Sequence, residues 1–167
     1  SGNHYVMAYI DDGWQYFDGS QWQTVQNTSS RKVYTCDSRI TALKEAVNNF
    51  IKSVAEKSPA SKIGITSFAS TYYGGSSTNA SLQAATNTTA LMKAADAMSA
   101  HGGTEPALGL TLAANEFSSS DSTPKYVIVF TDGEPTGDGD TWSNTAATAA
   151  STAASTLKSS NVTVFTV

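Results

Sequence analysis

Apolar residues recur at three- and four-residue spacings through Ile40, Leu43, Val47, Phe50, Ile51 and Val54. One face of this segment is therefore hydrophobic, and the spacing predicts a helix over residues 40–54 with Asp37 and Ser38 as candidate caps. Lys62–Phe68 reads as a strand entered from the turn at Pro59. Leu91, Met92, Ala95 and Met98 give the inner face of a second helix over 89–98, which ends at His101-Gly102-Gly103. A third helix opens at Thr104-Glu105-Pro106, proline being comfortable in a first turn, and runs through Leu108, Leu112 and Phe117. Tyr126 to Phe130 is a near-continuous apolar run of strand length, the mark of a strand covered on both faces. Residues 143–157 form a small-residue helix and 162–167 a last strand. Residues 67–81, with Tyr72-Tyr73-Gly74-Gly75, read as a loop leaving the strand at 62–68, either a contact surface or simple loop packing.

The order strand, helix, helix, strand, helix, strand describes an α/β fold: a three-layer, Rossmann-like, mostly parallel sheet flanked by helices. One domain is expected over 1–167, and both of its ends read as incomplete. The last strand has no covering helix behind it, and the helix at 40–54 has no strand before it. The first strand and the C-terminal helices are accordingly expected outside the chain. Residues 5–25 differ in kind, because Tyr9, Trp14, Tyr16, Phe17 and Trp22 are interleaved with Asp11-Asp12-Gly13 and Asp18-Gly19-Ser20. That is the pattern of short antiparallel strands joined by tight turns. An aromatic β-hairpin insertion over 5–35 is predicted, its rings serving either as a satellite core or as a recognition surface.

The 167 residues carry a formal charge of −4, which gives no basic surface for nucleic acid. Charged residues are 14% of the chain against about 25% in an average domain, while serine and threonine abound. A polar, nearly neutral surface suits an extracellular or cell-wall setting. The lone Cys36 forms no intrachain disulfide, so packing alone must hold the fold. No apolar run approaches the roughly 18 residues of a membrane span.

The run from Tyr126 to Phe130 passes directly into Thr131-Asp132-Gly133-Glu134-Pro135-Thr136. A carboxylate at the carboxyl end of a buried parallel strand stands where such sheets hold ligands, which makes Asp132 the first candidate; an Asx-turn is the structural alternative. In Gly102-Gly103-Thr104-Glu105-Pro106 the glycines permit a tight turn, and Thr104 falls at a helix amino terminus. Its hydroxyl serves there as a cap or as an oxygen ligand to a hard cation. Glu105, Glu134, Asp138 and Asp140 share this edge, either as tuning groups or as a solvated acidic loop. His4 and His101 are the only histidines, and neither completes a Ser-His-Asp order or a His/Glu metal triad. No lysine follows Gly102-Gly103-Thr104 as a phosphate cradle would need. Enzymatic activity is therefore not expected.

Together, Gly-Gly-Thr before a helix and a strand ending in Thr-Asp-Gly resemble the von Willebrand factor type A family over roughly residues 36–167. The resemblance implies a metal-ion-dependent adhesion site to which Thr104 contributes directly or through water and Asp132 through water. Mg²⁺ is the implied cation, with Mn²⁺ or Ca²⁺ as alternatives, and one coordination position is left for an acidic group of a partner. The family's third part, Asp-x-Ser-x-Ser, is absent as a complete motif. Either Ser1-Gly2-Asn3 is its tail, with Ser1 and Asn3 as metal ligands, or the motif lies just upstream, the slightly preferred placement. The implied function is a divalent-cation-dependent adhesion or protein-binding module of a secreted Gram-positive surface or pilus-tip protein. Its protein ligand would be a host matrix component, with other domains of the same surface protein or a pilus as further neighbours. A structural pilus or surface block with a vestigial metal site is the alternative, and a metal-dependent hydrolytic enzyme the remote third.

Overall fold

A computed structural model describes residues 6–10, 13–17, 20–24, 39–118, 122–131, 133–139 and 141–167. The chain divides into two compact units, Ser1–Cys36 and Asp37–Val167.

The first unit holds three short antiparallel strands: β1 (Val6–Ile10), β2 (Gly13–Phe17) and β3 (Trp22–Thr24). Ile10 pairs with Gly13, and the ladder runs back to Val6 opposite Phe17. The second hairpin closes on the Phe17 to Trp22 pair. Their rings lie 5.5 Å apart at a tilt of 54°. They are 36% and 42% exposed, so this ring pair is only half withdrawn from solvent.

In the second unit the predicted periodicities become α1 (Arg39–Lys57), β4 (Lys62–Phe68), β5 (Ser76–Ala84), α2 (Thr88–Asp96), α3 (Pro106–Asn115), β6 (Lys125–Val129), α4 (Asn144–Ser159) and β7 (Val162–Thr166). The candidate caps Asp37 and Ser38 lie outside the described residues. The apolar stripe of α1 puts Ile51 fully inside, against Ile63 and Ile65 of β4 and Leu91 and Ala95 of α2. Two polar ties fix α1 to the end of α2. Lys44 Nζ donates to the Asp96 carbonyl at 2.7 Å, and Asn48 Nδ2 donates to Asp96 Oδ1 at 2.9 Å. The lysine places positive charge where the helix leaves its carbonyls unpaired.

A second core forms where α3 and α4 cover β6 and β7. Leu110, Val127, Leu157 and Val162 are its buried members, with Phe117, Val129 and Val164 packed around them. β6 and β7 pair in parallel from Lys125 opposite Val162 to Val129 opposite Thr166. A parallel pair requires a crossover, and α4 supplies it. Its alanines and threonines allow close approach, and the Ser143 hydroxyl caps it by accepting from Ala146 N at 3.2 Å.

One element departs from the sequence-based expectation. Residues 76–81 belong to β5 and not to a loop, and β5 pairs antiparallel with β4. Ser-Ser-Thr-Asn-Ala-Ser offers little apolar alternation, so pattern gave no strand signal. Backbone pairing carries this strand instead, with register shifts on either side of Ile65. Glu116, just past α3, supplies what the irregular ladder lacks: its carboxylate accepts from Leu82 N at 3.0 Å and from the Thr78 hydroxyl at 3.4 Å.

Two stability outcomes follow from these contacts. Ile51→Ala should lower the unfolding free energy by about 2–5 kcal/mol, whereas Phe50→Ala, at a 37% exposed position, should cost much less; denaturant midpoints measure both. Glu116→Ala should cost about 1–3 kcal/mol by stripping the Leu82 amide of its acceptor. Hydrogen exchange should then accelerate selectively at Leu82, and equal acceleration throughout the unit would contradict the local role.

Candidate functional site

Three connections meet at one edge of the second unit: residues 69–75 after β4, 97–105 before α3, and 130–143 after β6. Their junction is built on glycine. A Cβ on Gly103 would stand 2.0 Å from the Gly137 carbonyl oxygen, so only glycine lets the two loops approach this closely. Gly102 has φ 72°, and a Cβ there would strike Tyr73 at 2.6 Å. These contacts give a physical reason for the glycine pair ahead of Thr104.

Hydrogen bonds run both ways across the junction. Thr104 N donates to Thr136 Oγ1 at 3.0 Å, while Thr136 N and Gly137 N donate to the Thr104 carbonyl at 3.1 and 3.2 Å. The backbone of Thr104 is thus held from both sides by the loop that follows β6. α3 opens at Pro106 with Glu105 in the cap position and no side-chain capping bond. Thr104 therefore stands one residue ahead of the cap, and the capping reading of its hydroxyl does not describe this helix.

Gly133 lies against that hydroxyl, since a Cβ on Gly133 would be 3.0 Å from Thr104 Oγ1. The turn around Gly133 is fixed by its own amide, which donates to Thr131 Oγ1 at 3.2 Å. Among the sequence-predicted site residues, Thr104 is described in full. Asp132, Ser1 and Asn3 lie outside the described residues, as does Asp140. His101 is exposed at the loop, its Nδ1 at 3.0 Å from the Ser99 carbonyl.

The acidic residues of the edge have specific partners. Glu105 Oε2 accepts from the Thr71 hydroxyl at 3.0 Å, and Asp138 Oδ1 accepts from Tyr72 N at 3.0 Å. Glu134 is exposed. Ser70 is fully buried and its hydroxyl accepts from Gly103 N at 3.4 Å. The sequence reading missed Ser70 and Thr136 as organisers of the corner. Their signals were weak: a serine just beyond a buried strand, and a threonine inside a Pro-Thr-Gly turn.

No group of three or more His, Cys, Asp or Glu side chains converges among the described residues. The described oxygen donor at the corner is the Thr104 hydroxyl. Oxygen donors of this kind suit a hard cation and do not suit a soft one. A cavity of about 310 Å³ opens beside the corner, lined by Glu105, Thr136, Gly137, Asp138 and Ser143 among others.

These features define an α/β domain with a parallel strand pair and a hydroxyl-bearing corner assembled from separate loops at one edge. The chain belongs to the von Willebrand factor type A domain family, whose model matches residues 29–167. Its fold is accordingly Rossmann-like, and domains of this family generally serve as protein-interaction or adhesion modules, commonly with a bound divalent metal, and generally not as enzymes. No curated protein and no solved structure matches the chain. Among the described residues, no helix is long and apolar enough to cross a membrane.

The glycine requirement gives a direct check. Gly103→Ala should destabilise the second unit by about 1–3 kcal/mol, because loop and carbonyl must separate to admit the methyl group. Gly139→Ala, whose Cβ would meet Thr136 O at an ordinary 3.7 Å, should be close to neutral. Thermal melts of the two variants side by side measure the difference.

Proposed function

We propose that this chain is a divalent-cation-dependent adhesion or protein-binding module of a bacterial cell-surface protein, and that it binds an acidic group of its partner at the Thr104 corner. The observation that carries the reading is the closeness of Gly133 to the Thr104 hydroxyl, which a Cβ on Gly133 would meet at 3.0 Å. It brings the residue adjoining Asp132 to the same place as the candidate oxygen ligand from an independent loop. In this reading Thr104 holds the cation with its hydroxyl oxygen, and Asp132 contributes its carboxylate through water. Ser1 and Asn3 are further ligands if they are the tail of the family's third motif. The aromatic hairpin is read as an insertion within the domain.

A bound Mg²⁺, or Mn²⁺ or Ca²⁺ in its place, supplies the Lewis-acidic centre for an incoming carboxylate. The chain's own part is to hold few charged donors close to that centre. Hydroxyls orient a hard cation without cancelling its charge, which leaves it attractive to an external acid. The low charge content of the chain and its abundance of serine and threonine support an extracellular wall or pilus setting.

Solid-phase binding to immobilised extracellular matrix proteins, in Mg²⁺ and in chelator, tests the proposal. Binding should require the cation, and Asp132→Ala and Thr104→Ala should each weaken it at least about tenfold, equivalent to ~1.4 kcal/mol. Binding that persists unchanged in chelator would overturn it in favour of a structural surface block with a vestigial site.

A further inference from the structure

The turn after β4 carries a feature that the cation reading leaves unused. Tyr72 is 79% exposed and Tyr73 49% exposed, yet their rings meet edge to face with centroids 4.9 Å apart. Aromatic rings this exposed on a loop ordinarily have no fixed position. Here the backbone is tied at every step. Tyr73 N and Gly75 N both donate to the Ser70 carbonyl at 3.0 Å, and Ala69 N donates to Gly75 O at 2.6 Å. Gly74 closes the turn at φ 98°. Across the junction, Thr71 is bonded to Glu105 and Tyr72 N to Asp138, and Tyr73 lies on Gly102. The pair is preorganised, so a partner that docks on it meets little ordering cost.

The carboxylates of the connections at this edge have no basic residue among them to offset their charge. The three connections 69–75, 97–105 and 130–143 contain no lysine or arginine, while Glu105, Glu134 and Asp138 carry carboxylates there. A carboxylate oxygen that accepts one backbone donor retains further acceptor capacity, so Asp138 can take a second donor from outside. Asp138 is bonded to the backbone of Tyr72, whose ring is largely exposed, and a guanidinium, planar for stacking on a ring and forked for a carboxylate, suits both groups.

We infer that Tyr72, Tyr73 and Asp138 form a receptor for an arginine side chain of the partner. Gly102, on which Tyr73 rests, is two residues from Thr104, which places the two corners within about 7 Å along the backbone. Resting on the reading above, the inference specifies the partner segment further: it carries a basic side chain a few residues from the acid. The rim acids repel a purely acidic segment and favour one that presents both signs.

The test is made in chelator, so that its outcome is independent of any cation site. A capped hexapeptide of glycine and serine with one central arginine is titrated into the full chain, and the Tyr72 and Tyr73 ring resonances are followed by NMR. Saturable shifts are expected, and a citrulline peptide, equal in shape and uncharged, should bind at least about fivefold more weakly. Tyr72→Ala, at a largely exposed position, should weaken the arginine peptide by a similar about fivefold factor. Asp138→Asn keeps an acceptor for Tyr72 N and should weaken binding through loss of charge alone. Equal binding of the citrulline peptide, or binding indifferent to Tyr72→Ala, would overturn the inference. Loss of Mg²⁺-dependent matrix binding in Asp132→Ala, measured separately, would stand or fall without it.

Discussion

Two backbones pass at the junction of Gly103 with the turn at Gly137, closer than any side chain would allow. Everything that gives this edge a definite shape depends on that approach. Because the loops touch, Thr104 exchanges two hydrogen bonds with Thr136 across the gap and accepts a third from Gly137 N. Because Thr104 is held by its own N–H and carbonyl, its hydroxyl has a fixed origin. Two of these bonds are backbone to backbone and involve no rotamers to order, which makes them stiffer than side-chain anchoring. They also leave the side chains of the corner available for a ligand.

The corner is only as rigid as the elements behind it. α3 leaves the junction directly and packs on β4 and β5 on one side and on α4 on the other. Leu110 belongs to the core over β6, while Gly109 admits Phe68 of β4, which would lie 2.7 Å from any Cβ placed there. One helix therefore couples the strand that precedes the tyrosine turn to the strand that precedes Asp132. Glu116 extends the coupling at the far end of α3 by binding the irregular β5. Displacement of α3 would move all three loops together, so the loops of this edge share a common base.

What was legible in the sequence was whatever burial imprints on it. α1, α2, β4, β6 and β7 each bury one face or both, and the apolar spacing of Ile51, Leu91, Ile63, Val127 and Val162 located them within a few residues. The Gly-Gly-Thr and Thr-Asp-Gly signatures pointed to the family for a related reason, because close backbone approach restricts residue choice as severely as a core does. β5 was not legible. It is an edge strand whose side chains are mostly exposed or half exposed, and main-chain hydrogen bonds leave no signature in side-chain pattern. Ser70 and Thr136 escaped for the same reason: each acts on a backbone group of a residue more than thirty positions away. Asp138 was placed at this edge, but its bond to the Tyr72 amide was not legible. The tyrosine turn was visible as composition, but its fixed geometry came only with the folded chain.

If the corner holds a cation as proposed, the division of labour among the oxygens of this edge explains how an acidic loop can serve it. If all the carboxylates of the edge pointed at one cation, they would neutralise it and leave no attraction for a partner's acid. Two described acids are instead engaged elsewhere: Glu105 holds the Thr71 hydroxyl, and Asp138 holds the Tyr72 amide. Both carboxylates are thereby tied to the tyrosine turn, which they help to order. The Thr104 hydroxyl is an oxygen of the kind that coordinates without neutralising. On the proposed reading, a partner would meet two fields of opposite preference on one edge, an acid-seeking centre and a base-seeking rim. Separating them by loops that are locked together keeps each field from cancelling the other.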